Sequence, residues 1–263
     1  MGKFVHLHIH SEFSLLDGAN RIKDLPKRAK ELGMDAIAIT DHGVMFGAID
    51  FYKACKNEGI KPIIGCEVYV ATRTRFDKEP GIDNKYNHLI LLAKDNNGYK
   101  NLAKLVSLGY VDGYYYKPRI DKEILEKYHE GLICCSACLA GEVNQAILAG
   151  NMEKAEEIAL WFKNIFKEDY YLEIQNNGVK EQVLVNQKLV LLSRKLDIPL
   201  VATNDAHYLR KEDAYNHEVL LCIQTGKRMN DTDRMRFETE ELYVKSPEEM
   251  IEYFKNVPDA IEN

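Results

Sequence analysis

The sequence predicts an α/β barrel, and two observations carry that expectation. Seven short apolar or β-branched runs recur from end to end, with amphipathic helical stretches between them, so parallel strands joined by helical crossovers are expected. None of these runs is followed by Gly-x-Gly-x-x-Gly, which favours a barrel over a dinucleotide-binding open sheet. The length of 263 residues, 46% of them hydrophobic, suffices for one large domain or two small ones.

The first strand, Phe4–His10, alternates apolar residues with His6, His8 and His10, which places three imidazoles on one face. Clustered imidazoles usually hold a metal. A helix over Ile22–Leu32 leads to the strand Ala36–Thr40, which ends in Asp41-His42-Gly43. The helix Gly47–Asn57 follows, then the strand Pro62–Val70 with Glu67 set among apolar neighbours. Arg73–Tyr86 is polar and turn-rich and reads as a surface insertion. His88 opens the next strand, His88–Ala93, whereas the other candidate ligands close theirs. Either that strand runs against the others or the barrel is distorted there.

Gly109–Arg119 carries Tyr110, Tyr114, Tyr115, Tyr116, Lys117 and Arg119. It reads either as packing of a long connection or as a wall for a base or sugar, with Arg119 and Lys117 as cations for phosphate. The strand Leu132–Ser136 runs into Ala137-Cys138, and the helix Met152–Phe166 leads to the strand Tyr170–Gln175. The helix Lys180–Leu196 leads to the last strand, Pro199–Thr203, which ends in Asn204-Asp205-Ala206-His207. From Glu218 the chain is expected to be helical, then charged and turn-rich through Thr225–Glu241. A final helix is expected near Pro247, with Ser246 as its N-cap.

His, Asp, Glu and Cys thus recur at one end of most strands, where α/β folds place their functional residues. Mixed imidazole, carboxylate and thiolate donors suit zinc, manganese or iron better than magnesium. Two or three such ions about 3.5–4 Å apart would clamp a phosphoryl group and activate water. No serine or cysteine with a partnered base competes as nucleophile, and Glu67 is the expected bridging carboxylate. His6 sits about 7 Å deeper than His8, at ~3.3 Å per residue, and reads as support beneath the ligands. His129 and His217 are not assigned to the metal.

The net charge of −6 argues against strong autonomous nucleic-acid binding, although a metal cluster would offset it locally. No run approaches the roughly 20 apolar residues of a membrane span. A strand beginning at Phe4 leaves no room for a signal peptide, so the six cysteines are expected as reduced thiols in a cytoplasmic protein.

The motifs His8-Ile9-His10, Thr40-Asp41-His42-Gly43, Gly65-Cys66-Glu67, Asn87-His88 and Asp205-Ala206-His207 resemble the polymerase and histidinol phosphatase (PHP) family. The run from Phe4 to Gly18, Tyr116–Asp121, Ser136–Leu139 and Glu218–Gln224 look like one branch of it, the N-terminal PHP domains of bacterial DNA polymerase III alpha subunits. The resemblance implies a single domain over residues 1–263, a distorted seven-stranded (β/α)7 barrel of TIM-like type, with residues 225–263 leading toward a polymerase core. It implies that His8, His10, Asp17, His42, Glu67, His88, Cys138, Asp205 and His207 occupy the ligand positions of a trinuclear site. Asp17, Glu67, Asp205 and His207 would then carry the catalysis, and His88 would be a ligand despite opening its strand.

The activity implied is a metal-dependent 3′→5′ exonuclease for proofreading. Its partners would be a DNA primer 3′ end, the remaining polymerase domains and replisome subunits, with no membrane and no polymerase active site within these residues. The alternatives are a metal-holding structural module without turnover and a free-standing phosphatase of the histidinol-phosphate type.

Overall fold

A computed structural model describes residues 4–263. Its strands are β1 (Ala36–Ile39), β2 (Lys61–Ala71), β3 (Tyr86–Ala93), β4 (Tyr114–Tyr115), β5 (Lys117–Ile120), β6 (Leu132–Cys135), β7 (Tyr170–Gln175) and β8 (Leu200–Thr203). The helices are α1 (Leu25–Glu31), α2 (Ala48–Glu58), α3 (Asn96–Val111), α4 (Lys122–Lys127), α5 (Glu142–Leu148), α6 (Met152–Phe166), α7 (Lys180–Leu196), α8 (Ala214–Thr225), α9 (Pro247–Tyr253) and α10 (Asp259–Glu262). The helices pack apolar faces on the sheet, with Phe51 and Cys55 of α2, Leu102 and Leu105 of α3, Phe162 of α6 and Leu189 of α7 all buried in one core.

The sheet curls into a distorted barrel. β1 pairs parallel with β2, β6 with β7, and β7 with β8. β3 lies between β2 and β6 and runs antiparallel to both. An antiparallel neighbour needs no helical crossover, which is why the polar stretch after β2 connects to β3 directly. The reversal also answers the question His88 posed. Its strand begins at the rim where the others end, and His88 pairs in register with Tyr69 near the end of β2.

The expected first strand is not a regular one. Residues 4–10 form no regular strand: their ladder is reduced to a parallel bridge between Ile9 and Ala206 and two backbone bonds to either side. Side chains take over the missing pairing. The Thr40 hydroxyl donates to the Ile9 carbonyl and accepts from the Ile9 amide, while the Asn20 amide donates to the carbonyls of His10 and Ala206. Together with the bonds from Ala38 to the His6 carbonyl and from Ala206 to the His8 carbonyl, they join the two edges of the curled sheet.

The region read as an aromatic and basic loop contains an antiparallel hairpin, β4–β5, whose second strand pairs parallel with β2 at Tyr69 and Val70. The helix expected from Glu218 begins four residues earlier, at Ala214. α6 and α7 match their expected bounds, and Ser246 caps α9 in a reciprocal box with Glu249.

Candidate metal centre

At the rim where β1, β2 and β8 end and β3 begins, the chain brings all of the expected donors together. Glu67, fully buried on β2, is the hub: its carboxylate lies 3.3 Å from His8 Nε2, 2.5 Å from His42 Nδ1 and 3.0 Å from His88 Nδ1. Cys138 Sγ sits 3.8 Å from the same carboxylate and 3.6 Å from His88. A bridge between His42 and Glu67 prolongs the β1–β2 pairing, so the two ligands are neighbours by register. A bridge between His88 and Gly141 brings the Cys138 loop alongside.

Asp205 faces Glu67 across the centre, with Oδ1 at 3.2 Å from His8 and 3.0 Å from His10. It holds a left-handed backbone angle, φ 52°, a conformation that Asp and Asn tolerate better than most residues and that accumulates at functional sites. His207 turns Nδ1 to the Asp205 carbonyl at 2.8 Å, which leaves Nε2 free to face Asp17. Asp17 completes the ring at 3.1 Å from His42 Nε2. Six of the donors fall into three overlapping triads, His10–His42–His207, His8–His10–Glu67 and His42–Glu67–His88.

The electrostatics are those of buried carboxylates balanced by imidazoles. Burial favours neutral Glu67, yet His88 and His42 hold its carboxyl well below the ordinary range. Burial likewise opposes ionisation of Asp205, and His8 and His207 outweigh it. His42, buried but facing Glu67 and Asp17, is pushed up to about 10. His10 is lowered to about 3 by burial and by the neighbouring His42 and His207. The Cys138 thiol is raised by burial and by Glu67 and Asp205, the opposite of what a cysteine nucleophile needs.

The carboxylate oxygens of the ring are met by imidazole nitrogens: Glu67 Oε2 by His42 Nδ1, Asp205 Oδ1 by His8 and His10, and Asp17 by His42, His207 and His217. Three largely buried carboxylates crowded on a few imidazoles are costly to keep charged, and divalent cations would take oxygen and nitrogen donors of both kinds together. The residues present therefore fit divalent metal ions held by nitrogen, oxygen and sulfur donors.

Several contributors escaped the sequence reading. Glu173 of β7, fully buried, accepts a hydrogen bond from His8 Nδ1 at 2.7 Å and so aims Nε2 at the centre. Thr203 and Gln175 donate to the same Glu173 oxygen. Asp41 accepts from the Ser11 amide and from the Ser11 and Ser14 hydroxyls, pinning the loop that carries Asp17. His217, set aside from its sequence position, lies 3.5 Å from Asp17 Oδ1. His6 stays outside the ring, bonded to the Lys245 carbonyl and lowered to about 4 by burial.

Of the two expected phosphate cations, only Lys117 reaches the site. It lines a cavity of about 520 Å³ that opens over Asp17, His42, His88, Cys138, Asp205 and His207. Arg119 is fully buried, and its guanidinium donates to the carbonyls of Gly113, Asp83, Arg75 and Asp77. It braces the insertion after β2 and has no line to the cavity.

A curled α/β barrel with a histidine- and carboxylate-rich rim defines a class of metal-centre proteins. Residues 6–177 match the PHP domain family, and the chain belongs to that family. It is 52% identical over 99% of its length to the DNA polymerase III subunit alpha of Borreliella burgdorferi, and 49% identical over 100% to that of Campylobacter jejuni. The chain spans 23% of the length of each of these curated relatives. Among solved structures, a two-domain protein of Bacteroides vulgatus described as containing a PHP-like metal-dependent phosphoesterase shares the fold, with a TM-score of 0.51 at 14% identity. The alignment covers 99% of this chain and 64% of that one. An amidohydrolase of Chromobacterium violaceum, also 14% identical, matches with a TM-score of 0.52 over 77% of this chain and 87% of its own.

Proposed function

We propose that this chain is a metal-dependent phosphodiesterase module of a bacterial replicative polymerase, removing nucleotides from the 3′ end of a primer strand as a 3′→5′ proofreading exonuclease. The observation that carries this reading is a ring of nine convergent donors with one side open. Structural metal sites are closed, whereas catalytic ones keep an accessible face, and here the ring opens into a cavity large enough for an organic substrate. The similarity to polymerase subunits supports DNA as substrate, with the other polymerase domains and replisome subunits as partners in the cytoplasm.

His8, His10, Asp17, His42, Glu67, His88, Cys138, Asp205 and His207 would hold two to three divalent ions, zinc, manganese or iron. When bound, such ions supply Lewis-acid activation of water and neutralise phosphoryl charge. The chain's own residues prepare the rest. Glu67, in contact with three histidines, would be the carboxylate shared between ions. Glu173 fixes the tautomer of His8, and the Asp205 carbonyl fixes that of His207. Asp17 and Asp205 set negative charge on the cavity floor, and Lys117 offers a cation for the phosphate at its wall.

The test is to quantify bound metals, then compare hydrolysis of a 3′-mismatched primer with that of a phosphate monoester, beside Asp205→Asn. Asparagine accepts the left-handed angle at 205, so the fold is expected to hold while primer hydrolysis drops by orders of magnitude. Preference for the monoester would overturn the exonuclease assignment. Bound metal with neither substrate cleaved would favour a structural module.

A further inference from the structure

One wall of the cavity is built of aromatic rings that the metal centre does not use. Tyr69 stacks parallel to His42 at 6.2 Å, and Lys117 Nζ lies 5.4 Å from the Tyr69 ring. Gly43 makes this approach possible: a Cβ there would meet the Tyr69 ring at 2.8 Å, and its φ of +64° suits glycine. Beyond Lys117 the wall continues with Phe46, whose ring lies 6.5 Å from Tyr110, which in turn stacks at 6.1 Å on Tyr114.

These rings are open to solvent. Phe46 is 64% and Tyr114 53% exposed, and both line the cavity that contains the ligand ring. Three elements converge to place them: the loop before α2, the end of α3 and the β4–β5 hairpin. A contiguous exposed aromatic patch on a concave polar site usually marks a binding surface, and aromatic faces beside a cation are how proteins hold unpaired bases along a strand. Lys117 is the only Lys or Arg among the described residues lining the cavity, so little electrostatic grip is available to replace stacking.

We propose that Phe46, Tyr110 and Tyr114 form a stacking platform for the unpaired bases of a single-stranded DNA 3′ end, with Lys117 on the adjoining phosphate. The proposal rests on the phosphodiesterase reading above and adds what selects the substrate. Three rings in a row can take successive bases only if these leave their partners and their own stack, so a paired end must fray before it enters. Fraying costs least at a mismatch. Selection of mispaired termini thus follows from the wall and needs no reading of base identity.

The test uses a short 5′-labelled oligo-dT and the same strand with an abasic 3′-terminal nucleotide, bound to the chain in EDTA and followed by fluorescence anisotropy. The intact end is expected to bind roughly tenfold tighter than the abasic one, as loss of one stacked base predicts. Tyr114→Ala and Phe46→Ala are expected to erase most of that difference, and Tyr114→Phe to retain it. Lys117→Ala should weaken both ends alike. Equal binding of the two strands by the unaltered chain, no binding of either, or an equal loss on both ends in Tyr114→Ala would overturn the platform. A parallel hydrolysis measurement with manganese separates the two ideas. Cleavage that ignores the terminal base sinks the platform alone, whereas base-dependent binding with no cleavage of any phosphodiester sinks the phosphodiesterase reading alone.

Discussion

Two clusters of charge in this molecule differ in how they are satisfied. Around the insertion after β2, Arg119 donates to four carbonyls, Arg75 pairs with Asp121 and Glu123, and Arg73 pairs with Asp83. In the ring around Glu67, the side chains of Glu67, Asp17 and Asp205 meet imidazole nitrogens and the Cys138 thiol, groups that are themselves metal donors. The first cluster sets guanidinium cations against carbonyl and carboxylate acceptors and holds a long connection in place. The second packs metal donors on metal donors, and such a crowd of donors is where a cation belongs. Cations matched to acceptors mark structure; donors packed on donors mark the site.

The largest break in that contrast should come at the hub. Glu67→Gln keeps the shape but removes the charge shared by His8, His42 and His88. Hydrolysis is expected to fall by about a thousandfold or more, since the residues of such a unit act together. Thermal melting gives a second reading. A ligand at about 100 times its Kd stabilises the folded chain by about 2.7 kcal/mol, so added manganese or zinc should raise the melting temperature of the unaltered chain by several degrees. In Glu67→Gln that rise should nearly vanish, and a variant that still gained the full increment would show that the metal sits elsewhere.

A smaller effect is expected one shell out. Glu173→Gln can still meet His8 through its amide oxygen, but it no longer draws the Nδ1 proton as a carboxylate does. Changes to such outer partners commonly cost 10–100-fold in metal affinity or activity. Titration of bound metal against a competing chelator measures that loss, and an unchanged affinity would reduce Glu173 to a packing residue for Thr203 and Gln175.

How much of this was legible in the sequence follows from the same contrast. The donors were visible because metal ligands are rare residue types placed at element ends: His8 and His10, His42, Glu67, Asp205 and His207 stand out against apolar strands. The direction of β3 was hinted at only by His88 opening its run. α3 was hidden because Asp95-Asn96-Asn97-Gly98 reads as a turn, yet Asp95 caps the helix at the Gly98 amide. Gly98 is required there by the Gly131 carbonyl, which a Cβ would strike at 1.7 Å. Glu173 and Asp41 were missed as positioning groups because their roles depend on partners over 160 and about 30 residues away, respectively. The regular first strand was over-read, since alternation reports a shared face and not whether the backbone finds a ladder.

Arg119 sharpens the comparison from the other side, because nothing in its sequence separates it from Lys117. Both are cations in one aromatic stretch, yet one lines the cavity and the other is sealed beneath it. Arg119→Leu removes the donors of four buried carbonyls, and unmet buried polar groups cost about 1–3 kcal/mol each where water cannot reach them. Partial rescue by water makes a net loss of about 2–4 kcal/mol reasonable, a fall in melting temperature of roughly 5–10 °C. Specific activity per folded molecule, measured well below the transition, should change the least of any variant here. A large fall in KM-linked phosphate binding with unchanged melting would instead return Arg119 to the substrate. The two measurements move in opposite directions for a brace and for a phosphate clamp, so this one residue tests whether satisfaction of buried charge, and not charge itself, distinguishes the two clusters.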